Sequence, residues 1–201
     1  MWQQGEGPFS RRALLERAAL ATGAVGVATL AGAGPEPAAS APSPAQDRRI
    51  LNFLLLLEYL QEDLYAEALS AGNLTGELER FAQVAGAHER EHVTALQDEL
   101  GTAARDKPTF RFGDALAREG RFAAAALTLE ETAVSAYIGQ AANLTAKRSV
   151  AVASIVAVEA RHAAWIRDVV GRLPAPLAAD RAKTPAAAMA TIERTGFVAR
   201  S

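Results

Sequence analysis

Two Glu-x-x-His pairs, Glu89/His92 and Glu159/His162, each follow a lone glutamate (Glu58 and Glu130) by 31 and 29 residues. Residues three or four apart share one face of an α-helix, so each pair offers a carboxylate and an imidazole to the same side. Two copies of one such set in a single chain constrain the fold severely. Four helices must bring their acidic positions to a common depth. Bundles that hold two metal ions are built this way, with one Glu on each of two helices and Glu-x-x-His on the other two. The chain has three histidines, and two of them stand three residues after a Glu.

The surrounding residues support that reading. Leu51, Leu54, Glu58, Glu62, Tyr65 and Leu69 form one stripe at helical spacing, and Leu78, Phe81, Ala85, Glu89, His92 and Leu96 form a second. The third is Leu127, Glu130, Val134, Tyr137 and Leu144, and the fourth Val152, Ile155, Glu159, His162, Ile166 and Val169. Each is apolar except at one depth, where it turns acidic or imidazole. The halves also repeat: Tyr65 follows Glu58 by seven residues as Tyr137 follows Glu130. A duplicated helical hairpin with a pseudo-twofold axis through the site is expected.

Four buried carboxylates facing one another are very unfavourable unless neutralised. Two divalent cations balance them, four negative charges against four positive, with both imidazoles neutral. Two carboxylates would bridge, two would bind one ion each, and open positions would remain, as in a catalytic site. Oxygen and imidazole ligands suit iron or manganese. A single Glu-x-x-His would be read as a solvated Glu beside a packed His; the duplication on apolar stripes tells against that. The expected ligands are Glu58, Glu89, His92, Glu130, Glu159 and His162. Glu131 adjoins Glu130 but lies near Thr128 and Ser135, off the cleaner stripe.

Around them, Glu62 is a candidate extra ligand or hydrogen-bond acceptor for a His N–H. Tyr65 and Tyr137 either bond carboxylates across the site, relay an electron, or pack in the core with satisfied hydroxyls. His88, one turn before His92, either shuttles protons near the entrance or, on the favoured reading, is a surface or rim histidine; Trp165 reads as core.

Helical periodicity runs from Asp47 onward, without sustained alternation. The first helix is expected from an Asp47 cap to about Ser70, and the second from the Asn73–Gly76 turn to Leu100. A connection over 102–113 suits a crossover between hairpins. A third helix should span roughly 114–142, broken near Gly120, and a fourth about 146–172. A short helix at 185–195 should pack Met189, Ile192 and Phe197 on the bundle.

The front of the chain reads differently. Ser10-Arg11-Arg12-Ala13-Leu14-Leu15 is a twin-arginine export pattern, followed by residues 18–34 without a charge. That run is weakly apolar and shorter than the ~20 apolar residues of a membrane-spanning helix, so residues 1–33 read as a targeting segment. Residues 34–46 read as a Pro/Ala/Ser spacer, and 47–201 as the bundle domain. The twin-arginine translocation machinery is then an expected partner, and the periplasm or extracellular space the destination. That route carries folded proteins, which suits one that loads metal before crossing.

A formal net charge of −2 supplies no basic field for nucleic acid. The chain has no cysteine, which excludes disulfides, thiolate zinc sites, iron–sulfur clusters, a cysteine nucleophile and a built-in rubredoxin-like electron donor.

The stretches LNFLLLLEYLQEDLY, AHEREHVTAL, PTFRF, LEETAVSAY and VEARHAAWIRDVVG followed by PAP span roughly 50–176. They resemble bacterial ferritin-like domains, specifically the branch associated with desiccation-related proteins. The resemblance implies an all-α, ferritin-like four-helix bundle with a long crossover, a short C-terminal helix and a di-metal centre on the six residues above. Related branches oxidise and store iron, reduce peroxide as rubrerythrins do, or act as manganese catalases. The expected function is redox chemistry at two iron or manganese ions on oxygen, peroxide or ferrous iron, of peroxidase, catalase or ferroxidase type. The alternative is a non-catalytic envelope protein that sequesters metal or serves structurally under stress. A storage cage, which would need a homo-oligomer of many copies, ranks third.

Overall fold

A computed structural model describes residues 41–198. The twin-arginine pattern and the first part of the spacer lie outside the described residues. Among the described residues, five α-helices form the protein: α1 (Pro44–Ala71), α2 (Gly76–Leu100), α3 (Glu119–Ala141), α4 (Ala146–Val169) and α5 (Pro185–Thr195). Their pairing shows two antiparallel hairpins, α1–α2 and α3–α4, which also meet across α1–α3 and α2–α4. This is the all-α four-helix bundle the sequence implies, with the expected short fifth helix packed on α3.

Local chemistry sets the helix ends. The first helix starts three residues before the expected Asp47: Ser43 accepts a hydrogen bond from the Gln46 N–H and Pro44 occupies the first turn. Proline there loses no helix hydrogen bond, because that N–H would be an orphan anyway. At the other end Gly72 takes the left-handed conformation, φ 67°, that a side chain disfavours. Thr184 caps α5 through the Ala187 N–H, again with proline next.

Asp47 is no cap of its own helix. Its buried carboxylate accepts from the Thr145 N–H (3.0 Å) and hydroxyl (2.6 Å), at the residue preceding α4. The second hairpin repeats the device in reverse. Glu119, in the first turn of α3, accepts from the Thr75 N–H and hydroxyl, both at 2.7 Å, at the residue preceding α2. Each hairpin's first helix thus grips the start of the other hairpin's second helix.

The connection between hairpins runs from Gly101 to Arg118 and contains 3-10 turns at Gly101–Ala103 and Gly113–Leu116. The second replaces the expected early part of the third helix, which begins only at Glu119. Phe110 and Phe112 of this crossover are buried, and Phe112 meets Phe197 edge-on at 5.2 Å. The Arg111 N–H donates to the Phe197 carbonyl, and Phe110 forms an isolated bridge with Val198. Ile192 is buried as expected, whereas Met189 is half-buried.

Leu54, Leu60, Leu64, Phe81, Ala126 and Val152 are sealed from solvent in the core. Helix α4 alone among the described helices is long and apolar enough to cross a membrane. It carries buried Glu159 and His162, and its Val152, Ile155 and Ile166 join the bundle interior.

Candidate metal centre

The six residues singled out by spacing converge at one depth of the bundle. Glu58, Glu89, Glu130 and Glu159 are each 0% exposed, and His92 and His162 are buried beside them. They fall into two overlapping groups of four: Glu58, Glu89, His92 and Glu159, and Glu89, Glu130, Glu159 and His162. Within each group one ligand atom per residue lies within 4.8 Å of all the others. Glu89 and Glu159 belong to both.

Both imidazoles turn Nδ1 inward. His92 Nδ1 lies 2.9 Å from Glu89 Oε2, 3.1 Å from Glu159 Oε1 and 3.2 Å from Glu58 Oε2. His162 Nδ1 lies 3.1 Å from Glu89 Oε1, 3.6 Å from Glu130 Oε2 and 3.9 Å from Glu159 Oε1. Glu89 therefore presents one oxygen to each histidine and faces both groups of the cluster.

The two tyrosines cross the pseudo-twofold axis. Tyr65 donates its hydroxyl to Glu130, and Tyr137 donates to Glu58. Each lone glutamate is thus oriented by the other hairpin, one of the roles considered for these residues from sequence. Burial, reinforced by the neighbouring carboxylates, holds both phenols well above their ordinary pKa, so they stay protonated as donors.

Other placements differ from expectation. Glu62 turns to Lys107 of the crossover at 2.9 Å and takes no place among the grouped ligands. Its position one turn from Glu58 made it a candidate; a cation supplied 45 residues away drew it outward. Glu131 is half-buried and pairs with Arg167, leaving the interior to Glu130. Trp165 is half-buried rather than core, donating to Glu77 at 2.8 Å while its ring meets Phe81. Spacing missed Gln61, which is buried on α1 and donates to Glu159 Oε2 at 3.4 Å.

The donor set fits a pair of divalent cations. Four buried polar atoms at its centre, Glu89 Oε1, Glu130 Oε2, Glu159 Oε1 and His162 Nδ1, have no hydrogen-bond partner. Buried polar groups are nearly always paired, and here all four face one another. Divalent cations held by these residues would satisfy all four.

The residues 46–172 match the family model described as "Ferritin-like domain". The chain belongs to the ferritin-like domain family. No curated protein matches it. Within this ferritin-like bundle, the matched span contains all six clustered side chains.

Without cations, protons must hold the cluster together. Burial pushes the Glu58 carboxyl up to about 8 despite the opposing pull of His92. Burial and the charges of Glu58 and Glu130 raise Glu159 likewise. For His92, burial alone would lower the pKa, but the carboxylates of Glu159, Glu58 and Glu89 gathered around its Nδ1 carry it up to about 12. His162 rises to about 11 against the same burial cost, through Glu130 and Glu89. Metal ligation needs ionised carboxylates and neutral imidazoles, so loading must expel protons. Protons compete less as pH rises, and affinity should therefore climb between about pH 6 and 8, by about tenfold per pH unit for each proton released. Calorimetry in buffers of differing ionisation enthalpy will report that release; a pH-independent affinity would contradict it.

Proposed function

We infer that this ferritin-like protein binds two divalent ions, iron or manganese, and carries out redox chemistry on oxygen, peroxide or ferrous iron after export from the cytoplasm. The observation that carries the metal reading is the set of four partnerless polar atoms enclosed by carboxylates from all four helices. Iron or manganese bound there would supply redox-active centres able to accept a small oxidant.

The chain's own residues would do the rest. Glu89 and Glu159 offer oxygens to both positions, and Glu58 and Glu130 to one each. Tyr65 and Tyr137 fix one oxygen of each lone glutamate, so the free oxygen faces inward. Leu54, Phe81 and Ile166 keep bulk water away, which strengthens the electrostatics within. Support for export comes from Ser10–Leu15 and the uncharged stretch after it. The absence of cysteine favours a cycle that needs no built-in thiolate donor, such as peroxide dismutation.

The alternative reading, metal retention without turnover, draws on the full enclosure of the four carboxylates. Protein purified with its native metal separates the two. Peroxide loss without reductant supports catalase-type work, reductant-dependent loss supports a peroxidase, and oxidation of added ferrous iron a ferroxidase. Metal-loaded protein inert in all three assays would leave sequestration standing.

A further inference from the structure

The two histidines of the centre differ in what stands behind them. Nε2 of His162 lies 2.9 Å from Nδ1 of His88, and the two rings are nearly parallel at 9°. His88 itself is exposed. It immediately precedes Glu89, and the matching residue before Glu159 is Val158, so the second hairpin carries no such side chain for His92.

An imidazole that ligates through Nδ1 carries its proton on Nε2, and the partner of that N–H decides whether the ring stays so turned. The Nε2–H of His162 therefore donates to Nδ1 of His88, whose own proton then sits on its Nε2. Phe81 meets the His162 ring edge-on at 6.4 Å and limits its tilt, but offers no acceptor. The partnerless atoms show the same asymmetry. At the centre, Glu130 Oε2 and His162 Nδ1 are partnerless and belong to the His162 group alone, Glu89 Oε1 and Glu159 Oε1 are shared with the other group, and His92 Nδ1 is hydrogen-bonded with Glu58 and Glu89. The group around His162 has more polar capacity left for a cation to satisfy.

We propose that His88 is a positioning residue that holds His162 with Nδ1 turned into the centre, making the Glu89–Glu130–Glu159–His162 position the tighter of two unequal metal positions. This rests on the dinuclear reading above.

The test is titration of Co2+ into the metal-free full chain, followed by calorimetry and by the visible absorption of the bound ion. The unsubstituted protein is expected to show a tight and a weaker step. His88→Ala should weaken the tight step about ten- to a hundredfold, the range for losing a partner behind a ligating histidine, and alter the spectrum of the first ion. The weaker step should not move. His88→Gln, whose amide oxygen can accept the same N–H, should recover most of the loss. Since His88 is exposed, neither change removes core packing. Equal weakening of both steps, or none, would overturn the proposal. So would two equal steps in the unsubstituted protein, with the dinuclear reading intact; no Co2+ uptake by that protein would instead remove the dinuclear reading itself.

Discussion

The Glu159→Ala protein should bind essentially no metal, whereas Glu58→Ala should keep about one ion of two. Glu159 offers its Oε1 towards both histidines, at 3.1 and 3.9 Å, and belongs to both groups of four. Glu58 belongs to one. Removing Glu159 strips an oxygen from each position at once and leaves Gln61 donating to nothing. Metal content per chain, measured by mass spectrometry after equilibration with excess Mn2+ or Fe2+, checks this directly. Heat gives a second readout. A ligand present at a hundred times its dissociation constant stabilises by about 2.7 kcal/mol, and a domain of this size shifts by about 2–4 °C per kcal/mol. Chelation should therefore lower the melting temperature of the unsubstituted protein by about 5–10 °C and leave that of Glu159→Ala unmoved. Two ions retained by Glu159→Ala would show that it does not bridge.

The second large effect lies far from the carboxylates. Gly139→Ala should lower stability by about 1–3 kcal/mol, the usual range for forcing extra atoms into a packed site. A Cβ at Gly139 would sit 2.0 Å from the Lys183 carbonyl oxygen, and backbone cannot swing aside as a flexible side chain does. The Lys183 N–H also donates to the Ser135 carbonyl, so the strand of chain before α5 lies directly on α3. Alanine favours a helix interior over glycine by about 1 kcal/mol, which offsets part of the cost. Thermal unfolding should show a net loss of several degrees. A gain would mean that the Lys183 segment lifts away at little cost.

The bundle and its six inward residues were legible because burial and helical geometry are local facts. Leu54, Glu58 and Tyr65 share a face by spacing alone, and the repetition in α3 and α4 multiplies that signal. Placement of the outer polar residues was not legible, since it depends on partners distant in sequence. Glu62 is drawn to Lys107, and Asp47, which resembles a helix cap, instead holds Thr145, 98 residues away. His88 read as a rim histidine, and it is exposed. Its contact with His162, 74 residues on, could be found only in three dimensions. The start of α3 also differs: residues 113–116 form a 3-10 turn, and the α-helix begins at Glu119.

The sharing of Glu89 and Glu159 bears on how the protein is made. The amino-terminal hairpin supplies Glu58, Glu89 and His92 of one group, and its fourth member, Glu159, leaves the ribosome some seventy residues after Glu89. An ion caught early in synthesis would sit in a three-sided cup, open where α4 has yet to arrive. On the metal reading proposed above, vectorial synthesis favours loading after the second hairpin closes, so that the ions would meet a finished vessel rather than a growing one.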